Sequence, residues 1–437
     1  MKAAIAAGHP ITAEAGARVL ANGGNAVDAC VAAAFAAFVA EPPLTGPAGG
    51  GFFLAHVDGE PLLLDCFFAV PSRPLAEMDE IVIDFGDAST QVFHVGEASV
   101  AVPGLLPGLE EAHRRYGSLT WAELVEPSIE LAHAGLEVNE AQAFLHLILT
   151  GILQRDEGGR RMFGDPAHLV TRDLVPTLER LRDRGAAAVV ELLPELADDL
   201  AAYRVIEREP VRTSFLGHDV LATPAPSRGG GIVAAALERL AHADGLGERA
   251  AALRDAYATA PPARMAGTTH IAVIDAAGNA AGLSSTLGSG SGIFRAGAQL
   301  NNMLGERDVI GHAELEPGAR LASMMTPTLV LEAGRPRLAL GSAGSVRLAG
   351  AIAQVTDAAI RGVPLAAAID APRFHVDGDV LHLEGGYPGE SPSGWEVVRW
   401  AGRNLYFGGV SAVERTAEGT FAAAGDPRRG GHGIVVP

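Results

Sequence analysis

MAGTTHIAVIDAAGNAAGLSST, residues 265–286, writes out a strand, a reversal and a second strand in order. HIAVID and AAGLSST flank AAGN, whose glycine and asparagine supply the backbone freedom that a tight hairpin demands. At the entry to the first strand, Gly267 is followed by Thr268, Thr269 and His270. Taken alone, such a tetrapeptide is an ordinary strand opening, because threonine favours strands and glycine punctuates. A hydroxyl becomes a nucleophile only with a base beside it, and one available base is the residue's own α-amino group. That amine exists only if the chain is cut before Thr268. The same hydroxyl can make the cut by attacking the Gly267 carbonyl, giving an ester that water hydrolyses. Glycine before the cut suits close or strained backbone geometry. The β-branch of threonine restricts χ1 and holds the nucleophile in one orientation. The freed amine, with an ordinary pKa of about 7.7 to 8.0, is suited to base work near neutral pH.

Composition narrows the chemistry. The chain has 437 residues, 48% of them hydrophobic, enough for a large core. A formal charge of −19 argues against nucleic acid, since phosphate binding needs a basic surface and no local run supplies one. Lys2 is the only lysine, every other basic residue being arginine. A lysine Schiff base or a phosphate-loop lysine would therefore rest on the extreme N-terminus, and both are set aside. Cys30 and Cys66 are the only cysteines, read as packed small side chains rather than a disulfide framework or zinc cluster. The 14 histidines are scattered singly, with no HExxH pair, so no metal and no cofactor are expected. The longest apolar stretch, residues 30–40, is shorter than the ~20 residues of a membrane span and reads as a buried helix. The opening MKAAIAAGHP breaks too early for a signal-peptide core, and a cytoplasmic location is expected.

Outward from the quoted stretch, residues 12–24 and 26–40 read as two alanine-rich helices, stopped by Gly23 and Gly24. A Gly/Pro loop then feeds two strands about a turn at Asp58-Gly59. Helix is expected over about 104–154, where Thr120 and Glu123 have capping-box spacing, and again over 173–203. TLVLEAG and RPRLALGS form a second hairpin about Gly334, and VRLAGAIAQVTDAAIRG is helical up to Gly362. Helices covering paired sheets on both sides give a layered α/β architecture. GSGSG at 288–292 reads as a mobile loop near the hydroxyl, and no G-x-S-x-G elbow of a serine hydrolase is present.

Several blocks together carry a resemblance. AAGHPITAEAGARVLANGGNAVDACVAAAFAAFVAEPPLTGPAGGGFF, APSRGGGI, GTTHIAVIDAAGNA, LNNMLGE, ASMMTPTLV and GSAGSVRL occur in the order seen in the γ-glutamyltranspeptidase family of N-terminal-nucleophile hydrolases, which this chain resembles over nearly its whole length. The resemblance implies a four-layer αββα sandwich. It also implies autocleavage between Gly267 and Thr268 and a heterodimer of residues 1–267 (large subunit) and 268–437 (small subunit) building one core. It places the nucleophile at Thr268 and the supporting hydroxyl at Thr286. The oxyanion-binding pair falls at Gly344 and Ser345, where the family has two glycines; a serine there leaves the N–H intact.

Substrate recognition departs from the family pattern. The family's Asp-Phe-Arg-Glu block reads Asp65-Cys66-Phe67-Phe68, so Phe67 stands where an arginine would grip a glutamyl carboxylate. Gly288 replaces an asparagine, and the serine pair becomes Ala322-Ser323. Glu306 matches the acid that binds the substrate ammonium, with Asn302 beside it; the bland alternative for Glu306 is a solvated charge before Arg307. Arg73 and Arg347 are the candidates to replace the missing arginine. The expected activity is acyl transfer or hydrolysis of a small-molecule amide through an acyl-enzyme on Thr268, with glutathione-type γ-glutamyl compounds among the substrates considered. An acylase for non-glutamyl amides and a non-cleaving binding protein of the same fold are the alternatives. No nucleic-acid or membrane partner is expected; the partners are the two self-derived subunits, with a further homo-oligomer left open.

Overall fold

The computed structural model describes residues 2–73, 76–84, 90–258, 267–310, 315–416 and 418–437. The first two residues of the quoted stretch, Met265 and Ala266, fall outside them. In chain order the strands of the two main sheets begin with β1 (Ala3–Ala7), β2 (Gly50–Val57), β3 (Glu60–Cys66), β4 (Ile206–Glu207), β5 (Val211–Phe215) and β6 (His218–Ala222). They continue with β7 (Gly267–Ile274), β8 (Ala280–Gly288), β9 (Thr328–Glu332), β10 (Arg335–Ala343), β11 (Gly409–Arg415), β12 (Phe421–Gly425) and β13 (His432–Val436). The first sheet has the order β13-β1-β7-β8-β2-β3-β4, and the second β12-β11-β10-β9-β6-β5. Strands from before and after position 267 are therefore interleaved in the first sheet, β1 lying between β13 and β7 and β8 pairing with β2.

The sheets face one another, with β7 lying across β10 and β11. Helices α1 (Pro10–Ala21), α2 (Ala26–Ala40) and α3 (Leu105–Tyr116) cover the outside of the first. Downstream of α4 (Trp121–Ala134), α5 (Gly229–Leu240) and α6 (Arg347–Ile360) cover the second. The layers form the four-layer αββα sandwich that the resemblance implies.

Local chemistry explains the elements. Pro10 opens α1 where its missing N–H costs nothing, and His9 caps it by accepting from Ile11 N. Asn25 and Asp28 close a capping box on α2, whose fifteen residues are all buried, so that it is apolar all round as a core helix must be. The β2–β3 turn has positive φ at both Asp58 and Gly59, the condition for a tight right-twisted hairpin. The Thr120–Glu123 capping box forms as expected. The helix expected over 104–154 is divided into α3, α4 and shorter pieces at 140–148 and 150–153, with Gly117 and Gly135 next to the breaks. The 173–203 stretch is likewise divided, Gly185 and Pro194 interrupting α-helix with 3-10 turns. Cys30 and Cys66 are both buried and free.

Side-chain alternation along β7 sorts two environments. Ile271 and Val273 join the core under the helices, whereas Ala272 and Ile274 join Ala4, Leu54, Leu329 and Ala339 between the sheets. No described helix is long and apolar enough to cross a membrane.

Candidate functional site

The alternation puts Thr268 and His270 on the inter-sheet face and Thr269 on the helix face. Thr268 is buried in the intact chain. The β7–β8 ladder pairs Gly267 with Gly288 and Thr269 with Ser285, so the register slips by one residue opposite Thr268. Such a bulge re-aims the side chains beside it. Here it brings Thr286 to the end of β7, where its hydroxyl donates to the carbonyl oxygen of Gly267 and accepts from Gly288 N at 2.8 Å. The hairpin thus brings the Thr286 hydroxyl to the carbonyl that directly precedes Thr268. Gly288 is held at φ +68°, and a Cβ there would lie 2.3 Å from Asn302 Oδ1, so this position has no room for a larger residue.

Behind β7, Thr269 Oγ1 donates to Glu41 Oε2 at 2.6 Å and Thr12 Oγ1 donates to Glu41 Oε1 at 2.7 Å. Glu41 is buried, and desolvation holds its carboxyl above the usual carboxylate range despite both hydroxyl donors. Gly8 allows this close approach, because a Cβ there would sit 2.5 Å from both Glu41 Oε2 and Thr269 Oγ1. The sequence reading missed Glu41; its signal was an acid directly after an apolar helix and before two prolines.

On the inter-sheet face, His270 Nδ1 lies 2.9 Å from Ser284 Oγ, and Nε2 has no hydrogen-bond partner. Burial pushes its pKa down to about 3, so the ring is neutral at physiological pH. The ring packs against Gly341 of β10, where a Cβ would lie 2.4 Å from Nδ1. His270 meets Gly341, and Ala272 and Ala339 share the next layer, so one further step along each strand sets Thr268 level with Ala343. The β10–β11 ladder ends at Ala343↔Gly409, and Gly344 and Ser345 follow it. Both have positive φ, +123° and +56°, which turns the chain out of the ladder and into α6. A positive φ is unusual for serine and marks this turn as held by its surroundings.

Next to Gly288 lies a buried acid. Glu306 Oε1 accepts from Ser289 N at 2.9 Å and Ser289 Oγ at 2.7 Å, and Asn302 Oδ1 accepts from Ser289 N at 2.7 Å and Gly290 N at 3.1 Å. Glu306 is 5% exposed, which removes the reading of a solvated charge. Desolvation pushes its carboxyl up to about 7 against the pull of Ser289 and Asn302. The 288–292 run, read from sequence as a mobile loop, is instead buried and pinned by these bonds, together with Ser291 Oγ donating to Leu300 O at 3.0 Å.

Phe67 is buried, stacked on Phe52 with ring centroids 5.4 Å apart and edge-on to Phe68. Ser323 is buried near Ser227 and accepts from Met325 N at 3.0 Å. Arg73 is spent on the carbonyls of Glu97 and Val100, and Arg208 is paired with Asp65 at 2.7 Å, so neither stands in for the missing arginine. Arg347 is buried in the first turn of α6.

A profile of the Gamma-glutamyltranspeptidase family matches residues 12–193 and 244–436. The chain belongs to the γ-glutamyltranspeptidase family. Among its relatives is the Acylase ACY 1 proenzyme of Pseudomonas sp. (strain SE83), 31% identical over 523 residues and covering 98% of this chain and 92% of that protein. Another is the Glutathione hydrolase proenzyme of Pseudomonas aeruginosa, 29% identical over 534 residues, with 99% and 94% covered. The crystal structure of cephalosporin acylase from Bacillus halodurans superposes with a TM-score of 0.83 at 20% identity, covering 99% of this chain and 95% of that one, which establishes the shared fold. This γ-glutamyltranspeptidase family member is thus an enzyme of the hydrolase and acyltransferase kind.

Proposed function

We propose that the chain cuts itself before Thr268 and then hydrolyses amides through an acyl-enzyme on the Thr268 hydroxyl, with an acyl specificity shifted away from glutamyl. The observation that carries this reading is the Thr286 hydroxyl donating to the Gly267 carbonyl. That hydrogen bond polarises the carbon that Thr268 Oγ would attack, and it supports the oxyanion as it forms. Attack forms the Thr268 ester and breaks the Gly267–Thr268 amide. Water then hydrolyses the ester, leaving the Gly267 carboxylate and the Thr268 amine. Residues 1–267 and 268–437 become two subunits of one sandwich.

In turnover the Thr268 amine takes the hydroxyl proton, and the N–H groups of Gly344 and Ser345 receive the oxyanion beyond the end of the β10 ladder. The C–N bond breaks, the proton passes to the leaving amine, and water releases the acid. The acyl half lies toward Phe67, Phe52 and Phe68, with Glu306, Asn302 and Ser323 on the same flank. A buried substrate carboxylate without an arginine partner is costly, which disfavours glutamyl donors. Glu306 favours the second reading, a donor carrying an ammonium group, since a buried carboxylate next to Asn302 is a natural partner for one.

Mass spectrometry of the purified chain tests the first step. Two fragments meeting at 267/268 are expected, and the Thr268→Ala variant should remain intact with turnover reduced at least ~10³-fold. An active enzyme that is a single uncut chain overturns the proposal. Rates on γ-glutamyl-p-nitroanilide beside a panel of acyl amides test the second, and strong turnover of the glutamyl compound alone overturns the shifted specificity.

A further inference from the structure

The turn at Gly344–Ser345 is held from outside its own helix. In a regular α-helix the carbonyl of the capping residue accepts from the N–H four positions on, as His9 O does from Ala13 N at 3.1 Å and Asn25 O from Ala29 N at 3.0 Å. In α6 the corresponding groups, Val346 O and Gly350 N, are joined through a side chain. Tyr257 Oη donates to Val346 O at 2.7 Å and accepts from Gly350 N at 2.8 Å. Gly350 makes the room, since a Cβ there would lie 3.0 Å from Tyr257 Oη. Desolvation raises the phenol above its ordinary range, so the hydroxyl keeps its proton, and its single donor is committed to Val346 O. The ring meets His375 edge-on with centroids 5.6 Å apart, which fixes its direction.

Two peptide planes carry this contact to the oxyanion position. The Val346 carbonyl and the Arg347 N–H belong to one planar unit, and Arg347 N donates to Gly344 O at 3.2 Å. The Gly344 carbonyl and the Ser345 N–H belong to another. Tilting the first therefore tilts the second. Without the hydroxyl, Gly350 N and Val346 O close on each other, the first turn of α6 tightens, and the Ser345 N–H swings away from where an oxyanion forms.

Tyr257 ends the helix Leu246–Tyr257, ahead of Gly267, whereas Val346 and Gly350 lie beyond Thr268. The hydroxyl thus ties the segment that would end the large subunit to the turn that would serve the small one. Self-cleavage makes a different demand, because there the donor on the attacked carbonyl is Thr286 Oγ1. The two steps can be separated.

We propose that Tyr257 is a positioning residue for the oxyanion site: its hydroxyl sets the Ser345 N–H for acyl transfer and has no part in self-cleavage. This rests on the acyl-enzyme reading above. Tyr257→Phe should cut itself before Thr268 at the wild-type rate. On the acyl p-nitroanilide that the wild type cleaves fastest, it should then show kcat lowered at least ~10-fold with KM within about two-fold. The boronic acid in which boron replaces the carbonyl carbon of that acyl group reads the site directly. Thr268 Oγ adds to boron, its proton passes to the Thr268 amine, nothing leaves, and the anionic adduct presents an oxygen to the oxyanion position. Its inhibition constant should rise at least ~10-fold in Tyr257→Phe, while that of the matching carboxylic acid, which forms no adduct, should stay within about two-fold. Unchanged kcat and boronate affinity, an equal loss for boronate and carboxylic acid, or slowed self-cleavage overturns the proposal. Should Tyr257→Phe fail to fold, Gly350→Ala gives the answer, since its methyl group crowds the hydroxyl while alanine favours the helix. Lower kcat and weaker boronate inhibition in a chain at least as stable as the wild type are expected, and wild-type values overturn the proposal. A wild type that cuts itself yet is not inhibited by the boronic acid defeats the acyl-enzyme reading itself, whereas equal inhibition of both chains defeats only the role of Tyr257.

Discussion

The layer between the two sheets has two unlike ends. At one, Ala4, Ala6, Leu54, Leu63, Ala272, Ile274, Leu329 and Ala339 form a dry contact of small and branched side chains. At the other, the same faces of the same strands carry Thr268, His270, Ser284 and Thr286, all buried and all polar. Along β7 and β8 the ladder runs regularly from one end to the other until the slip opposite Thr268. The contrast shows a division of labour along a strand. Apolar positions hold the sheets together, and polar positions two and four residues on accept a desolvation cost in exchange for fixed hydroxyl geometry.

Substitutions at the two ends should therefore fail in different ways. The largest effect is expected for Thr286→Val, which keeps the shape and removes the donor to the Gly267 carbonyl: self-cleavage, followed by electrophoresis against time, should slow by roughly 10²-fold. Cleavage at the wild-type rate would break the assignment of chemistry to this end. At the dry end, Ile274→Val should cost about 1 kcal/mol in urea unfolding and leave the cleavage time course as it was. The smallest effect concerns pH. The Glu306 carboxyl is raised to about 7 in the fold from an ordinary 4.5, so the unfolded chain ionises first, and the stability this group contributes is present below about pH 4.5 and lost as pH rises through about 7. In Glu306→Gln the fall in thermal midpoint between pH 5 and 7.5 should be shallower than in the wild type. An identical slope would mean that Glu306 ionises normally.

Much of this was legible in residues 265–286 and in the order of the surrounding blocks. The hairpin follows from short-range periodicity and glycine placement, whereas attention to Thr286 and to the turn at Gly344 came from the family resemblance of the blocks. The helices over 104–203 were harder, because capping and glycine breaks cut a continuous helical pattern into short pieces. The partner of Thr269 was not legible at all. Glu41 lies 228 positions from Thr269 in sequence, and only the folded sheet order makes them neighbours.

The interleaving of early and late strands in the first sheet constrains the life history of the protein. β1 lies between β13 and β7, and β8 is bonded to β2, so each piece released by a break before Thr268 would have its strands clasped by the other. Scission must then follow folding, since one continuous chain threads this order as a unimolecular event. Two separated pieces would have to find each other first, and recovery after denaturation of the cut protein should become dependent on concentration.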